Sequence, residues 1–144
     1  MNLFGMLELS GSALLAERQR AEIVTSNMAN LETTRTVQGG PYRRQLVVFR
    51  ARRPLQFPLL AGEMQPSAAR LVRVEQVVAD PAAPIQRYQP GHPDADARGF
   101  VAYPAIDPVE EMTDLLGAVR AYELNASAVQ ASKNMIQQSL DILR

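Results

Sequence analysis

The sequence predicts a mainly α chain with a small β insertion. Long N- and C-terminal helices form a coiled-coil-like pair, with an extended proline-rich segment and a small antiparallel β element between them. Three observations predict this. All ten prolines lie between Pro41 and Pro108, so both ends lack the residue that breaks helices. From Met112, the residues Met112, Leu115, Val119, Tyr122, Ala126, Val129, Lys133, Ile136, Leu140 and Leu143 recur at steps of three and four. That is the a/d spacing of a heptad seam, broken only at Lys133. A weaker seam runs through Leu3, Leu7, Ser10, Leu14, Glu17, Ala21, Val24, Met28 and Leu31. The chain therefore divides into 1–34, 35–106 and 107–144.

The elements follow in order. The first helix is expected to end near Asn30, because Asn27 and Asn30 suit a helix terminus and Thr33, Thr34 and Thr36 favour extended chain. Gln38-Gly39-Gly40-Pro41 is a turn signal. Gln45–Phe49 reads as a strand, and Arg52–Pro66, with three prolines, as an irregular loop. Leu71–Val78 is a second strand, Asp80–Pro84 a turn and Ile85–Tyr88 a short strand. Pro90–Arg98 is a loop by composition, and Gly99–Tyr103 is a last short strand. Together they predict one small twisted β element of three or four strands. The second helix starts with a cap at Asp107, proline at the first helical position and Glu110 three residues after the cap. Glu110, Glu111 and Asp114 suit the positive end of its dipole. A helix of about 36 residues is roughly 54 Å long.

Composition narrows the function. Fifteen basic residues balance fifteen acidic ones, so no nucleic-acid partner held by bulk charge is expected. There is no cysteine, hence no disulfide and no thiolate chemistry. No Lys or Arg precedes Arg18, so the basic start of a Sec signal is missing. No apolar run is long enough for a transmembrane segment.

The chemical candidates are few. His92, Asp94 and Asp96 form H-x-D-x-D, a set that a metal-dependent enzyme could use. Pro90, Gly91 and Pro93 favour a solvated turn instead, without the fixed geometry of a metal site. Arg43, Arg44, Arg50, Arg52 and Arg53 cluster within eleven residues. Without interleaved aromatics beyond Tyr42 and Phe49 they read as a protein-facing or solvated basic surface. Ser10, Ser12 and Ser26 have no base nearby in sequence. No catalytic, cofactor or metal site and no small-molecule substrate is expected, and the chain does not read as an enzyme.

The stretch Ser26-Asn27-Met28-Ala29-Asn30-Leu31-Glu32-Thr33-Thr34-Arg35-Thr36 resembles the S-N-x-A-N-x-x-T-T-R-T signature of the flagellar axial proteins, the family of rod and hook subunits. Gly39-Gly40-Pro41-Tyr42-Arg43-Arg44, Val47-Val48-Phe49, Tyr88 to Asp96, Gly99-Phe100-Val101 and Pro104 to Asp107 resemble its proximal-rod members. Ala105 stands where Asn is usual. The resemblance spans nearly the whole chain apart from Arg52–Ala69. It implies a structural subunit of the proximal rod, a helical drive shaft that transmits torque from motor to hook. It also implies export by the flagellar type III apparatus without a cleaved signal, assembly in the periplasm, and terminal helices packed into the inner tube of the rod. The implied partners are copies of itself, other flagellar rod proteins, and the export apparatus or MS-ring base. The residues expected at subunit interfaces are Leu7, Leu14, Val24 and Met28 on the first seam, and Met112, Leu115, Val119, Tyr122, Val129, Ile136 and Leu140 on the second. Asn27, Asn30, Arg43 and Arg44 join them. The alternative is a soluble helical adaptor or chaperone of flagellar export.

Overall fold

The computed structural model describes residues 3–52 and 71–142. The order of elements is α1 (Leu3–Ala29), β1 (Gln45–Arg52), β2 (Leu71–Ala79), β3 (Ile85–Tyr88), β4 (Phe100–Tyr103) and α2 (Pro108–Ile142). The two helices hold 27 and 35 residues. The loop expected at Arg52–Pro66 lies outside the described residues except for Arg52, which closes β1. Leu143, the last position of the expected seam, also lies outside them.

α2 begins where its capping residues direct. The Asp107 carboxylate accepts the Val109 N–H at 2.8 Å, and the Asp107 carbonyl accepts the Glu111 N–H at 3.1 Å. The first bond satisfies an orphan donor of the first turn, and the second is the first i→i−4 bond of the helix. Glu110 does not close a capping box; its carboxylate bonds Arg44. At the end of α1, the Asn30 amide donates to the Ser26 carbonyl at 2.9 Å and accepts from the Thr33 hydroxyl at 3.0 Å.

The strands form two separate two-stranded sheets, β1 with β2 and β3 with β4, rather than the single element expected. Pro81 and Pro84 lie between β2 and β3. Neither has an N–H to donate, so a ladder cannot continue through them. The Asp80 N–H donates to the Arg44 carbonyl at 2.7 Å, bringing the end of β2 beside the start of β1.

The chain forms two compact units. Among the described residues, one comprises those from Leu3 to Gln19, from Phe49 to Arg52, from Leu71 to Glu75 and from Ala118 to Ile142; the other comprises Arg20–Val48 and Gln76–Gly117. In the first unit the Ser12 hydroxyl donates to the Leu9 carbonyl at 2.7 Å and accepts the Val72 N–H at 3.1 Å. Arg50 and Glu75 form an ion pair at 2.6 Å.

The second unit contains the β3–β4 hairpin, antiparallel with Ile85 opposite Tyr103 and Tyr88 opposite Phe100. Alternation along the strands buries Val101 and Tyr103. On the other face, Tyr88 and Phe100 meet edge to face at 5.4 Å. The Tyr103 hydroxyl donates to the Gln89 side chain at 2.7 Å, and the Arg87 guanidinium lies 4.9 Å from the Tyr103 ring centre.

Gly99 makes the turn into β4 possible. Its φ is +82°, and a Cβ there would lie 2.9 Å from Tyr88 Cε2 and 3.2 Å from Pro90 Cβ. Gly99→Ala combines left-handed backbone strain with that clash. It should lower unfolding free energy by about 1–3 kcal/mol. Urea unfolding should show the loss as a lower midpoint with an unchanged slope.

Candidate functional site

The site grows from one buried polar side chain. Asn27, in the last turns of α1, is only 1% exposed. A buried amide without partners costs several kcal/mol, and here every partner is supplied. Asn27 Nδ2 donates to the Gln45 carbonyl at 2.9 Å and to Glu111 Oε2 at 3.1 Å. Asn27 Oδ1 accepts from the Tyr42 hydroxyl at 3.0 Å and the Gln45 N–H at 2.9 Å. Both donors and both lone pairs are used. Because Asn27 binds both the N–H and the C=O of Gln45, it pairs with the start of β1 as a neighbouring strand would.

The second buried polar group is Glu111, also 1% exposed, in the first turn of α2. Its Oε1 accepts from Arg44 Nε at 2.5 Å. Arg44 Nη1 donates to Glu110 at 3.1 Å, and Nη2 lies 3.7 Å from Asp114. Asp114 in turn accepts from Arg20 at 2.9 Å. Burial alone would lower the Arg44 pKa, but the hydrogen bond and charge of Glu111, and then those of Glu110, outweigh it and hold the guanidinium above the usual arginine value. A raised folded-state pKa stabilises the fold below the unfolded value and is lost only as pH climbs past it. The latch therefore keeps its cation at every physiological pH. It joins the end of α1, the approach to β1 and the start of α2.

The connection between α1 and β1 is held on both sides. The Thr36 N–H donates to the Gly40 carbonyl at 2.9 Å and the Gly39 N–H to the Thr36 carbonyl at 3.0 Å. Gly39 and Gly40 take φ of 85° and 76°, values that only glycine adopts freely. The Tyr42 N–H donates to the Thr33 carbonyl at 3.0 Å. The Thr34 hydroxyl donates to Asp94 at 2.8 Å, and Arg35 pairs with the same carboxylate at 3.7 Å.

The H-x-D-x-D residues are engaged within and beside their own loop. His92 Nδ1 accepts the Asp94 N–H, and Asp96 accepts the N–H groups of Arg98 and Phe100. No group of three metal-ligating side chains is assembled among the described residues.

The residues expected at interfaces are distributed as follows. Met112, Val119, Tyr122, Leu140 and Arg43 are exposed. Leu7, Leu14, Met28, Asn30, Arg44, Leu115, Val129 and Ile136 are half-buried; Val24 and Asn27 are buried. The buried side chains of α2 are Glu111, Ala118 and Ser132. They lie seven and fourteen residues apart and so share one face, one position before the apolar series at Met112 and Val119. Asn125, half-buried on that face, and Ser132 donate back to the carbonyls of Ala121 and Ala128, satisfying themselves on their own helix. The apolar stripe Val109, Met112, Leu116 and Val119 faces outward, 72%, 56%, 55% and 43% exposed. Among the described residues, twenty large hydrophobic side chains are exposed and six hydrophobic ones are buried.

Sequence reasoning missed Glu111, read as a dipole partner, and the latch role of Arg44. The available signal was complementarity: Arg43-Arg44 beside the strand and Glu110-Glu111 at the helix start. Glu111→Ala should cost about 3–5 kcal/mol, since it strands a buried amide and breaks a buried ion pair. Glu110→Ala, on the exposed branch of the same arginine, should cost less than about 1 kcal/mol. Denaturant unfolding of the two variants side by side measures the contrast.

The matches to known proteins cover the whole chain. Residues 97–142 match the model of the flagellar basal body rod FlgEFG protein C-terminal region. The flagellar basal-body rod protein FlgC of Bacillus subtilis is 38% identical over 148 residues, covering 99% of each chain. That of Borreliella burgdorferi is 36% identical over 151 residues, covering 100% of this chain and 99% of the relative. That of Escherichia coli O157:H7 is 34% identical over 143 residues, covering 99% and 98%. With such identity from end to end, the chain belongs to the FlgC family of flagellar basal-body rod proteins.

Proposed function

We propose that this chain is a subunit of the proximal rod, where copies of it and other rod proteins assemble helically into a shaft that transmits torque from motor to hook. The observation that carries the reading is the split character of α2. Its fully buried side chains are Glu111, Ala118 and Ser132, while its large apolar side chains Val109, Met112, Leu116 and Val119 are exposed. A helix that ends with its own fold does the reverse. Burying a large apolar side chain fully is worth about 1.5–3 kcal/mol. Four half-exposed ones on one stripe thus contribute on the order of 5 kcal/mol gross, before the cost of association. Contacts of this kind between unlike patches propagate into filaments.

In this reading the segments 1–34 and 107–144 form the coiled-coil-like inner wall and 35–106 the outer part. Leu7, Leu14, Met28, Leu115, Val129, Ile136 and Leu140 complete the contact surface begun by Met112, Val119 and Tyr122. The subunit leaves the cytoplasm through the flagellar type III apparatus without a cleaved signal, and its base-proximal neighbours are the export apparatus or MS ring. No helix among the described residues is long and apolar enough to cross a membrane. The adaptor alternative has no support in the relatives, which are named as rod proteins.

Electron microscopy of basal bodies from a strain lacking this chain tests the reading. Rings with an absent or stunted rod, restored by the full-length chain, are expected; complete rods and hooks would overturn it. Val119→Asp sharpens the test. The site is exposed in the monomer, so stability should change by no more than about 0.5 kcal/mol. A charge forced into a packed interface has no partner there, so swimming should be lost. Normal swimming would remove this stripe from the interface.

A further inference from the structure

The loop between β3 and β4 carries the only histidine of the sequence. His92 is half-buried, its ring edge-on to Tyr103 at 6.4 Å between centres. Its Nδ1 accepts the Asp94 N–H at 3.1 Å. An accepting Nδ1 carries no proton, so this bond belongs to the neutral ring protonated on Nε2. The bond fixes the backbone at Asp94, and the Asp94 carboxylate reaches out of the loop. It accepts from the Thr34 hydroxyl at 2.8 Å and pairs with Arg35 at 3.7 Å. One ring nitrogen thus stands behind a clasp between the loop and the segment that follows α1.

We propose that His92 is an acid-sensitive pin: protonation of Nδ1 releases the Asp94 N–H and loosens the clasp to Thr34 and Arg35. Histidine is the side chain whose charge changes between about pH 5 and 8. A protonated Nδ1 sets a donor against a donor. The carboxylates of the loop already have partners of their own. Asp94 is engaged by Thr34 and Arg35, and Asp96 by the N–H groups of Arg98 and Phe100. Arg87, on β3, covers the Tyr103 ring that His92 touches. Acid therefore acts on the connection between α1 and β1 through a residue that lies more than fifty positions away in sequence. The proposal rests on this loop alone and is independent of where the chain assembles.

The test is an NMR pH titration of the full chain, following the His92 ring and the Asp94 and Thr34 amides, with His92→Asn as the second sample. An asparagine oxygen accepts the N–H two residues on in an Asx turn and does not titrate. In the natural chain all three signals should move with one midpoint. Protection of the Asp94 amide from exchange should fall about two- to tenfold, the effect of losing one hydrogen bond. In His92→Asn the Asp94 and Thr34 amides should stay unmoved between about pH 8 and 5.5. Three results would each overturn the proposal: amides that stay still while the ring titrates, a ring that does not titrate in this range, or a response that survives in His92→Asn.

Discussion

A side-chain amide with all four hydrogen-bonding positions filled governs the second unit of this fold. Asn27 could be buried only because Tyr42, Gln45 and Glu111 arrive together. Glu111 could be buried only because Arg44 and Asn27 neutralise and solvate it. Each group makes the others' burial tolerable, so the network forms as a whole or leaves unpaired polar groups behind. The consequence reaches the backbone. Where α1 ends, how the chain enters β1 and where α2 starts are fixed relative to one another by these bonds. The Thr34–Asp94 contact adds the β3–β4 loop to the same frame.

The polar latch and the apolar surface divide the work of the sequence. Hydrophobic burial within the described residues is slight: Ala16, Val24, Val101, Tyr103, Ile106 and Ala118. The larger apolar side chains of α2 lie outside that set. A self-sufficient domain uses its apolar stripe for its own core; this one holds its second unit by directional bonds and leaves the stripe exposed. Directional bonds set geometry more sharply than apolar contact does. In the proposed reading, the directional bonds define the shape before neighbours arrive, and the apolar surface is what they meet.

Local chemistry was the legible part. The confinement of prolines between Pro41 and Pro108 marked the two helices. The Asp107-Pro108 start of α2, the Gly39-Gly40 turn and four short strands were each readable from a few neighbouring residues. The S-N-x-A-N signature pointed to the family that the relatives establish. What escaped was set by distance along the chain. Asn27 and Glu111 are 84 positions apart and Arg44 and Glu111 are 67, so nothing local distinguished Glu111 from Glu110. Heptad spacing put Met112, Leu115, Val119 and Tyr122 on one expected seam, of which Met112, Val119 and Tyr122 are exposed and Leu115 is half-buried. Spacing reports the phase of a stripe but not what covers it, and the face buried in this chain lies one residue earlier, at Glu111, Ala118 and Ser132. The single β element was expected because strand signals do not state how strands group; Pro81 and Pro84 separate them into two pairs.

The central claim is that the latch region is complete within one chain, whereas the apolar surfaces are completed only by neighbours. Amide hydrogen exchange on the free chain and on purified rods measures it directly. The amides of Asn27, Gln45 and Glu111 should be protected in both. Those of α2 beyond about residue 120 should gain protection by tenfold or more only in the rod, since long helices take most of their stability from packing. Equal protection along α2 in the free chain and the rod would contradict the account, as would a latch that exchanges freely until assembly.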